Sequence, residues 1–400
     1  MKVAITCPAS LPATPFGGIL IMAVNLANNF DNLGHNVTIY TTDLNFQNQK
    51  MIFDKNLSRI DSSNGFIIKR SHVILKIFTY FVNPGIYSQL KKDKPELIHV
   101  IGIRSFQALM AALISKYQKI PMIVSDYGGL TTHPEIKKGS IVKKILYKLQ
   151  NPMIKFIMKE SDTIIAANEY EMNDFLQIIK SKNIKIINNG INLESLKSTK
   201  SNFKNENEIN GRILLFVGRF DYVKGIDVLL ESFSKICFEE EFLDLKLVIM
   251  GVDFGFKNKM NQLIKEMKLI KRVIIIENPL REEIIAAYHS SEFLVLPSRW
   301  ELSPLTPLEG FACKKTSISC NTAGIPFVIK NEENGILVEP ENSNELTKAI
   351  IKLLRDKKLR EKLANNGYEE IQKKMNSKYM VNQFLEMYAE VVERHKNLTR

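Results

Sequence analysis

Four hundred residues, 45% of them hydrophobic and 24% charged, describe a globular chain with a full core and room for two domains. No run of about 18 apolar residues is available to span a membrane, and Met1-Lys-Val-Ala-Ile-Thr6 leads too soon into loop residues to be a secretory signal. The net charge of +12 calls for a polyanionic partner, nucleic acid or an anionic membrane, unless it reflects a general lysine and isoleucine bias.

In chain order, Lys2–Thr6 is a short buried strand, followed by a loop with Pro8, Pro12 and Pro15 and then Phe16-Gly-Gly-Ile19. Leu20, Val24, Ala27 and Phe30 recur at helical spacing from about Ile19 to Leu33, and Gly34 ends that helix. His35–Tyr40 is the next strand, which completes one βαβ unit. Gly17 and Gly18 open the helix and let backbone approach a phosphate. The pattern is not GxGxxG, which lowers a dehydrogenase reading. Gly65–Lys69 reads as a strand. Val73–Phe81 is strongly apolar with Lys76 its one charge, either a core helix or a greasy surface that meets lipid; its short length favours the core. Leu97–Ile101 is a buried strand and Ser105–Tyr117 a helix. Pro121–Ser125 is a strand that ends in a loop from Asp126 to His133.

From Lys137 to Lys159, seven lysines alternate with Ile141, Ile145, Leu146 and Leu149 at helical spacing. That is a basic amphipathic helix, suited to an anionic membrane or equally to a solvated surface. Thr163–Ala167 and Ile184–Ile187 are further strands. The alternation gives a first domain over residues 1–195, a polar linker over 196–210 and a second domain over 211–379, with a last helix at about 380–400 packing back on the first. In the second domain, strands at Ile213–Val217, Lys246–Met250, Val273–Ile276, Phe293–Leu296, Thr316–Ser319 and Gly335–Val338 alternate with helices at Gly225–Phe238, Lys257–Met267, Arg281–His289 and from Leu308. Two such runs imply an α/β protein of two doubly wound, Rossmann-like domains facing each other across a cleft.

Two stretches carry chemistry. In Phe216-Val-Gly-Arg-Phe-Asp-Tyr-Val-Lys-Gly225, Arg219 and Lys224 sit on the turn after a strand, where a guanidinium and an ammonium suit a diphosphate. Arg219 paired with Asp221 is the structural alternative. In Pro297-Ser-Arg-Trp-Glu-Leu-Ser-Pro-Leu-Thr-Pro-Leu-Glu309, a strand-to-helix loop places Glu301 in the loop and Glu309 within two turns of a helix start, with Pro307 in the first turn. Loop N–H groups and a helix N-terminus face an anion there, and two carboxylates beside it suit hydroxyl groups. A sugar on a nucleoside diphosphate combines these groups.

Val217-Gly-Arg219, Lys224-Gly225 and the Glu301-x7-Glu309 pair together resemble the retaining glycosyltransferase family 4, of the GT-B fold and the glycosyl transferases group 1. Phe16-Gly-Gly-Ile19, Leu33-Gly-His-Asn-Val37 and Asn334-Gly-Ile-Leu-Val338 extend the resemblance over nearly the whole chain. The resemblance implies a nucleoside-diphosphate-sugar donor, held at its diphosphate by Arg219 and Lys224 with backbone from Gly17 and Gly18. Glu309 would bind ribose hydroxyls, Glu301 the donor sugar, and Ser303, Leu305 and Thr306 would surround the sugar and β-phosphate. It implies no metal and no other cofactor, and retention of the anomeric configuration, the departing phosphate taking the acceptor hydroxyl's proton. Two positions depart from the family. Tyr127-Gly128 stands where many relatives carry His-Gly, which leaves Asp126 and His133 as acceptor-side catalytic candidates. Lys314 and Thr316 stand where relatives usually have Gly and Pro, which should alter a turn and not the donor site.

The expected activity is sugar transfer to a lipid-linked or surface-glycan acceptor. A GT-B nucleotide-sugar epimerase and a non-catalytic sugar-nucleotide-binding protein are the alternatives. Nucleic acid is not an expected partner, because the lysine cluster is interleaved with aliphatic side chains and not with stacking aromatics. Cys7, Cys237, Cys313 and Cys320 form no CxxC pair and read as reduced thiols. The expected place is therefore the cytoplasm, peripheral on the inner face of the membrane.

Overall fold

Short apolar runs become buried parallel strands, and the amphipathic stretches between them become the helices that cover the sheets. The computed structural model describes residues 1–47, 50–134, 136, 139–180, 183–197 and 202–399. The chain divides into two units, Met1–Asn188 with Val381–Arg400, and Asn189–Met380.

The first unit holds an eight-stranded sheet. Its order is Ile184–Ile186, Thr163–Ala166, Met122–Ser125, Leu97–Ile101, Lys2–Thr6, Asn36–Thr42, Phe66–Ser71 and Ile60–Asn64. Every neighbouring pair is parallel except the last. The strand order reverses beside Lys2–Thr6, whose carboxyl end leads into the Gly17 turn. Gly17 has φ 103°, a backbone region open to glycine, and caps the helix Gly18–Asn32. The centre of the sheet contains a histidine, His99. Its Nδ1 lies 2.6 Å from the Tyr388 hydroxyl and its Nε2 3.0 Å from Ser125 Oγ. Burial pushes the His99 pKa down to about 3, so the ring is a neutral core hydrogen-bonding group.

Two sequence expectations in this unit need correction. Residues 141–160 form two helices, Ile141–Leu149 and Asn151–Glu160, because Pro152 starts a new helix and cannot continue the first. Lys137 and Lys138 lie outside the described residues. Only the second helix buries a face, through Ile154, Ile157 and Met158. The apolar run at 73–81 is neither a helix nor, for most of its length, core. It forms an antiparallel hairpin, Leu75–Ile77 with Tyr80–Val82, in keeping with its β-branched and aromatic residues. Val73 and Phe81 are buried, whereas Ile74, Leu75, Ile77 and Phe78 face solvent.

The second unit has a six-stranded, fully parallel sheet ordered Val273–Glu277, Lys246–Gly251, Ile213–Val217, Phe293–Leu296, Ser317–Cys320, Ile336–Val338. In chain order this is 3-2-1-4-5-6, so the topological switch falls between Ile213–Val217 and Phe293–Leu296. The described part of the expected linker 196–210 belongs to this unit: Leu196, Phe203 and Ile209 fill its core, and Phe203–Glu206 is a short helix. Three well-spaced apolar residues suffice to anchor a polar segment that shows no period. Lys314 has φ 53°, a left-handed conformation that glycine adopts without strain, and Thr316 is buried with its hydroxyl donating to the Asn334 carbonyl (2.8 Å).

His99 makes a pH prediction. Its folded pKa is depressed below the ~6.5 of an unfolded histidine, so the unfolded chain takes up a proton that the folded one refuses. The His99 contribution to stability is therefore complete above about pH 6.5 and falls as pH drops toward 3, by ~1.4 kcal/mol per unit in that window. Buried acids with raised pKa values act in the opposite direction over the same range, so the comparison is the test: between pH 7 and pH 5 the urea midpoint of the wild type should lose more, or gain less, than that of His99→Gln. An equal change in the variant would exclude His99 as a source.

Candidate active site

The site of the second unit is built at the switch point, from the two loops that leave the central strands. After Ile213–Val217 the chain makes a one-turn helix, Tyr222–Lys224, capped by Asp221, whose carboxylate accepts the Val223 N–H (2.9 Å). Gly225 follows with φ 69°, and a Cβ there would collide with the carbonyl of Pro297. Glycine thus lets the first loop touch the second. Arg299 then clamps the turn. Its N–H donates to the Val223 carbonyl (2.7 Å), its Nη1 to the Tyr222 carbonyl (2.6 Å), and its guanidinium lies over the Tyr222 ring at 3.9 Å. The same guanidinium is bidentate to Asp227 (2.9 and 2.7 Å) and its Nε meets Glu341 (2.9 Å).

The clamped turn delivers the Lys224 ammonium to Glu301, with which it forms an ion pair. Glu301 also accepts from Ser298 Oγ (3.2 Å). The pair lines a cavity of about 60 Å³ together with Val217, Leu296, Pro304, Leu305, Thr306, Pro307, Ser319 and Ile325. The helix Leu305–Ala312 starts at its wall, three residues earlier than the sequence suggests. The N–H groups of Leu305 and Thr306 have no intrahelical acceptor, so the positive end of the helix opens at the cavity. A cation, a carboxylate and helix N–H groups therefore converge on one small volume.

Glu309 lies in the second turn of that helix, as expected. Its Oε1 accepts from Arg281 Nη2 (2.6 Å) and its Oε2 from the Tyr288 hydroxyl (2.7 Å). Burial, reinforced by the Glu309 charge, holds the Tyr288 phenol far above its usual pKa, so it remains a donor. Each carboxylate oxygen retains capacity for a further hydrogen bond. Ser303 is engaged elsewhere: its Oγ and carbonyl both accept from Asn189 Nδ2 (3.0 and 3.3 Å). Arg219 is exposed and stacks on Phe254 at 4.8 Å; it has no ion-pair partner among the described residues, since Asp221 serves as the cap. The structure thus brings Lys224, Glu301, Leu305 and Thr306 together and sets Arg219 outside the cavity lining. Arg299, Arg281 and Tyr288 have no counterpart in the sequence reading, because nothing in their spacing ties them to Lys224 or Glu309.

The remaining candidates belong to the first unit. Gly17 and Gly18 are adjacent at the helix start, with open space around both. Asp126 is buried and accepts the N–H groups of Ile103 (3.0 Å) and Gly128 (3.2 Å), which pins two loops at the carboxyl edge of the sheet. Burial raises its pKa to about 6, against the pull of Arg104. Tyr127, at φ 56°, donates its N–H to Glu171 (3.0 Å). Burial holds its phenol far above the usual range, so it stays protonated. Glu171 is a further buried acid, lifted to about 8 by burial and by Asp126. Its sequence signal is a capping box, Asn168 to Glu171, and the Asn168 side chain indeed accepts the Glu171 N–H (3.0 Å). His133 is half-buried in the same loop, its N–H on the Gly129 carbonyl (3.0 Å).

Two family models match in tandem, Glycosyltransferase Family 4 over residues 16–195 and Glycosyl transferases group 1 over residues 197–370. The chain belongs to the group 1 glycosyl transferases. An uncharacterized glycosyltransferase of Methanocaldococcus jannaschii is 29% identical over 66% of this chain and 67% of that protein. The N-acetyl-alpha-D-glucosaminyl L-malate synthase of Bacillus anthracis is 26% identical over 62% of this chain and 64% of that enzyme, so the match spans somewhat under two thirds of its length. In fold, the chain superposes on Anabaena HepE in complex with UDP-glucose with a TM-score of 0.76, covering 98% of this chain and all of the other at 15% identity. The fold is GT-B, and the chain is a transferase enzyme.

In this glycosyltransferase Arg299 is a positioning residue for Lys224. Arg299→Ala keeps the backbone bond to Val223 but removes the guanidinium from the Tyr222 carbonyl and leaves Asp227 and Glu341 without their cation. Unfolding free energy should fall by about 2 kcal/mol, with turnover reduced at least tenfold. Arg299→Lys keeps the charge but not the fork, and should recover little of either. Full recovery by lysine in urea melts and rate assays would reduce the clamp to simple charge.

Proposed function

We propose that this glycosyltransferase moves a sugar from a nucleoside-diphosphate-sugar to a lipid-linked or surface-glycan acceptor, with retention of anomeric configuration. The observation that carries the reading is the Lys224–Glu301 pair at the mouth of a helix N-terminus on the sheet's switch point. Lys224 and the Leu305–Thr306 N–H groups suit the β-phosphate, and Glu301 suits a hydroxyl of the sugar beside it. Arg219, exposed on the same loop, suits the outer part of the diphosphate. Glu309, oriented by Arg281 and Tyr288, suits the ribose hydroxyls. UDP-glucose, bound by the Anabaena protein of the same fold, is the first donor to try.

In the reaction the bond between the anomeric carbon and the β-phosphate oxygen breaks, and its electron pair leaves with the diphosphate. The acceptor oxygen bonds to the anomeric carbon on the same face, and its proton passes to the departing phosphate. Lys224 and the helix N-terminus stabilise the developing negative charge without a metal. Asp126 and Glu171 hold the Tyr127 loop in shape, an acceptor-side positioning role. The reading places the enzyme in the cytoplasm, at the inner face of an anionic membrane. A small hydroxy-acid acceptor, like that named for the Bacillus relative, is the contrast to test.

Incubation with nucleotide-sugars, with and without glycan or lipid-linked acceptor, tests the reading. Nucleotide release that depends on acceptor is expected; isomerised donor without release would make the protein an epimerase. Lys224→Ala and Arg219→Ala should each lower transfer by about 100-fold or more with the fold intact. Glu309→Gln should raise the donor KM with little change in kcat, since a ribose contact is made equally in ground and transition states, whereas Glu301→Gln should lower kcat. The opposite split would exchange the two roles.

A further inference from the structure

Exposed apolar side chains are concentrated in two segments of the first unit. Of the nineteen large apolar residues exposed among the described residues, eight lie in residues 74–78 and 141–149: Ile74, Leu75, Ile77, Phe78, Ile141, Val142, Ile145 and Leu149. Ile74, Ile141 and Leu149 are 69%, 76% and 70% exposed. The helix Ile141–Leu149 buries none of its residues. The two segments adjoin, because Lys143 Nζ lies 5.7 Å from the centre of the Phe78 ring. The base of the hairpin is anchored, with Tyr80 edge-on to Phe106 and its hydroxyl on Met153 Sδ (3.3 Å). The tip is therefore a fixed feature with an apolar end.

The tip is also unfavourable twice over as a solvent-facing turn. Phe78 has φ 53°, where two-residue hairpin loops favour Asn or Gly, and its ring is half exposed. Neither backbone preference nor burial explains phenylalanine there. Charge completes the description. Lys76, Lys143, Lys144 and Lys148 sit among these apolar residues, and no Asp or Glu occurs in residues 73–82 or 141–149.

We propose that the hairpin tip and the helix Ile141–Leu149 form one membrane-docking face, which inserts its apolar side chains into an anionic phospholipid bilayer while its lysines remain at the headgroups. The inference deepens the lipid-linked acceptor reading and rests on it for its purpose. Lysine stems cover apolar surface and carry the ammonium to the phosphate level, and an amphipathic helix with such a face lies in the interface plane. A protein partner of ordinary composition would meet a lysine-rich apolar surface less well than a layer of anionic headgroups over hydrocarbon.

The test is co-sedimentation of the full chain with vesicles of phosphatidylcholine alone and of phosphatidylcholine mixed with phosphatidylglycerol. Binding is expected for the mixed vesicles only, weakened by salt. Phe78→Gly suits the backbone of the turn and should leave folding intact, while Ile77→Asp places charge at the tip. Together they should lower the vesicle partition by about tenfold or more, and Lys143→Glu with Lys144→Glu should do the same. Thermal shift with UDP-glucose should be unchanged in all of them. The proposal is overturned if the wild type sediments with neither vesicle, if the tip variants bind like the wild type, or if the wild type runs as a dimer that Ile77→Asp dissociates. Acceptor-dependent nucleotide release without vesicle binding would overturn the docking face and leave the transfer reading standing. Vesicle binding without any transfer would do the reverse.

Discussion

The contact between the Gly225 turn and the carbonyl of Pro297 is the constraint on which the second unit's site depends. A parallel sheet ordered 3-2-1-4-5-6 leaves a crevice where its two central strands send their loops in opposite directions. A crevice alone positions nothing. Because residue 225 lacks a side chain, the two loops meet backbone to backbone, and Arg299 then fixes one against the other through both carbonyls of the Lys224 turn. Lys224, Glu301 and the start of the helix Leu305–Ala312 are consequences of that junction. The turn is rigid because several groups determine it, so the ammonium is held by its backbone and not merely attracted by a charge.

Much of this was legible in the sequence, for reasons specific to the residues. Phe293–Leu296 was readable to the residue because a strand buried on both faces is continuously apolar and Pro297 ends it. Glu309 was readable because prolines mark a helix start, and the Arg219 to Gly225 turn because cations and glycines cluster there. Other features were not readable. An apolar run as short as Val73–Phe81 has the same composition whether it is buried or exposed, and only the partners of its flanking residues decide. Arg281, Tyr288 and Arg299 act on residues up to 77 positions away, and no local pattern encodes such a tie. The segment 196–210 misled because its three anchors are separated by polar residues.

The first unit shows a different use of burial. Asp126 and Glu171 are carboxyls that burial makes reluctant to ionise, and each accepts two backbone N–H groups from loops near Tyr127. Buried acids with raised pKa values suggest catalysis when they open into a cleft. Here each oxygen accepts a backbone N–H, which fixes the conformation of the loop at the carboxyl edge of the sheet. Tyr127 is thus tied into this arrangement through its backbone N–H.

On the proposed reading, the Lys224–Glu301 pair would also discriminate among anions. Both side chains are largely shielded from water, at 18% and 20% exposure, so neither is inexpensive to leave alone. An anion that offers only phosphate oxygens must take Lys224 and strand Glu301 as an uncompensated charge. A ligand that offers a phosphate and, next to it, a hydroxyl group replaces both halves of the pair at once. A fully ionised anion without a hydroxyl, such as sulfate, would face a penalty that a sugar phosphate would not. On that reading, selectivity would come from a contact the protein makes with itself.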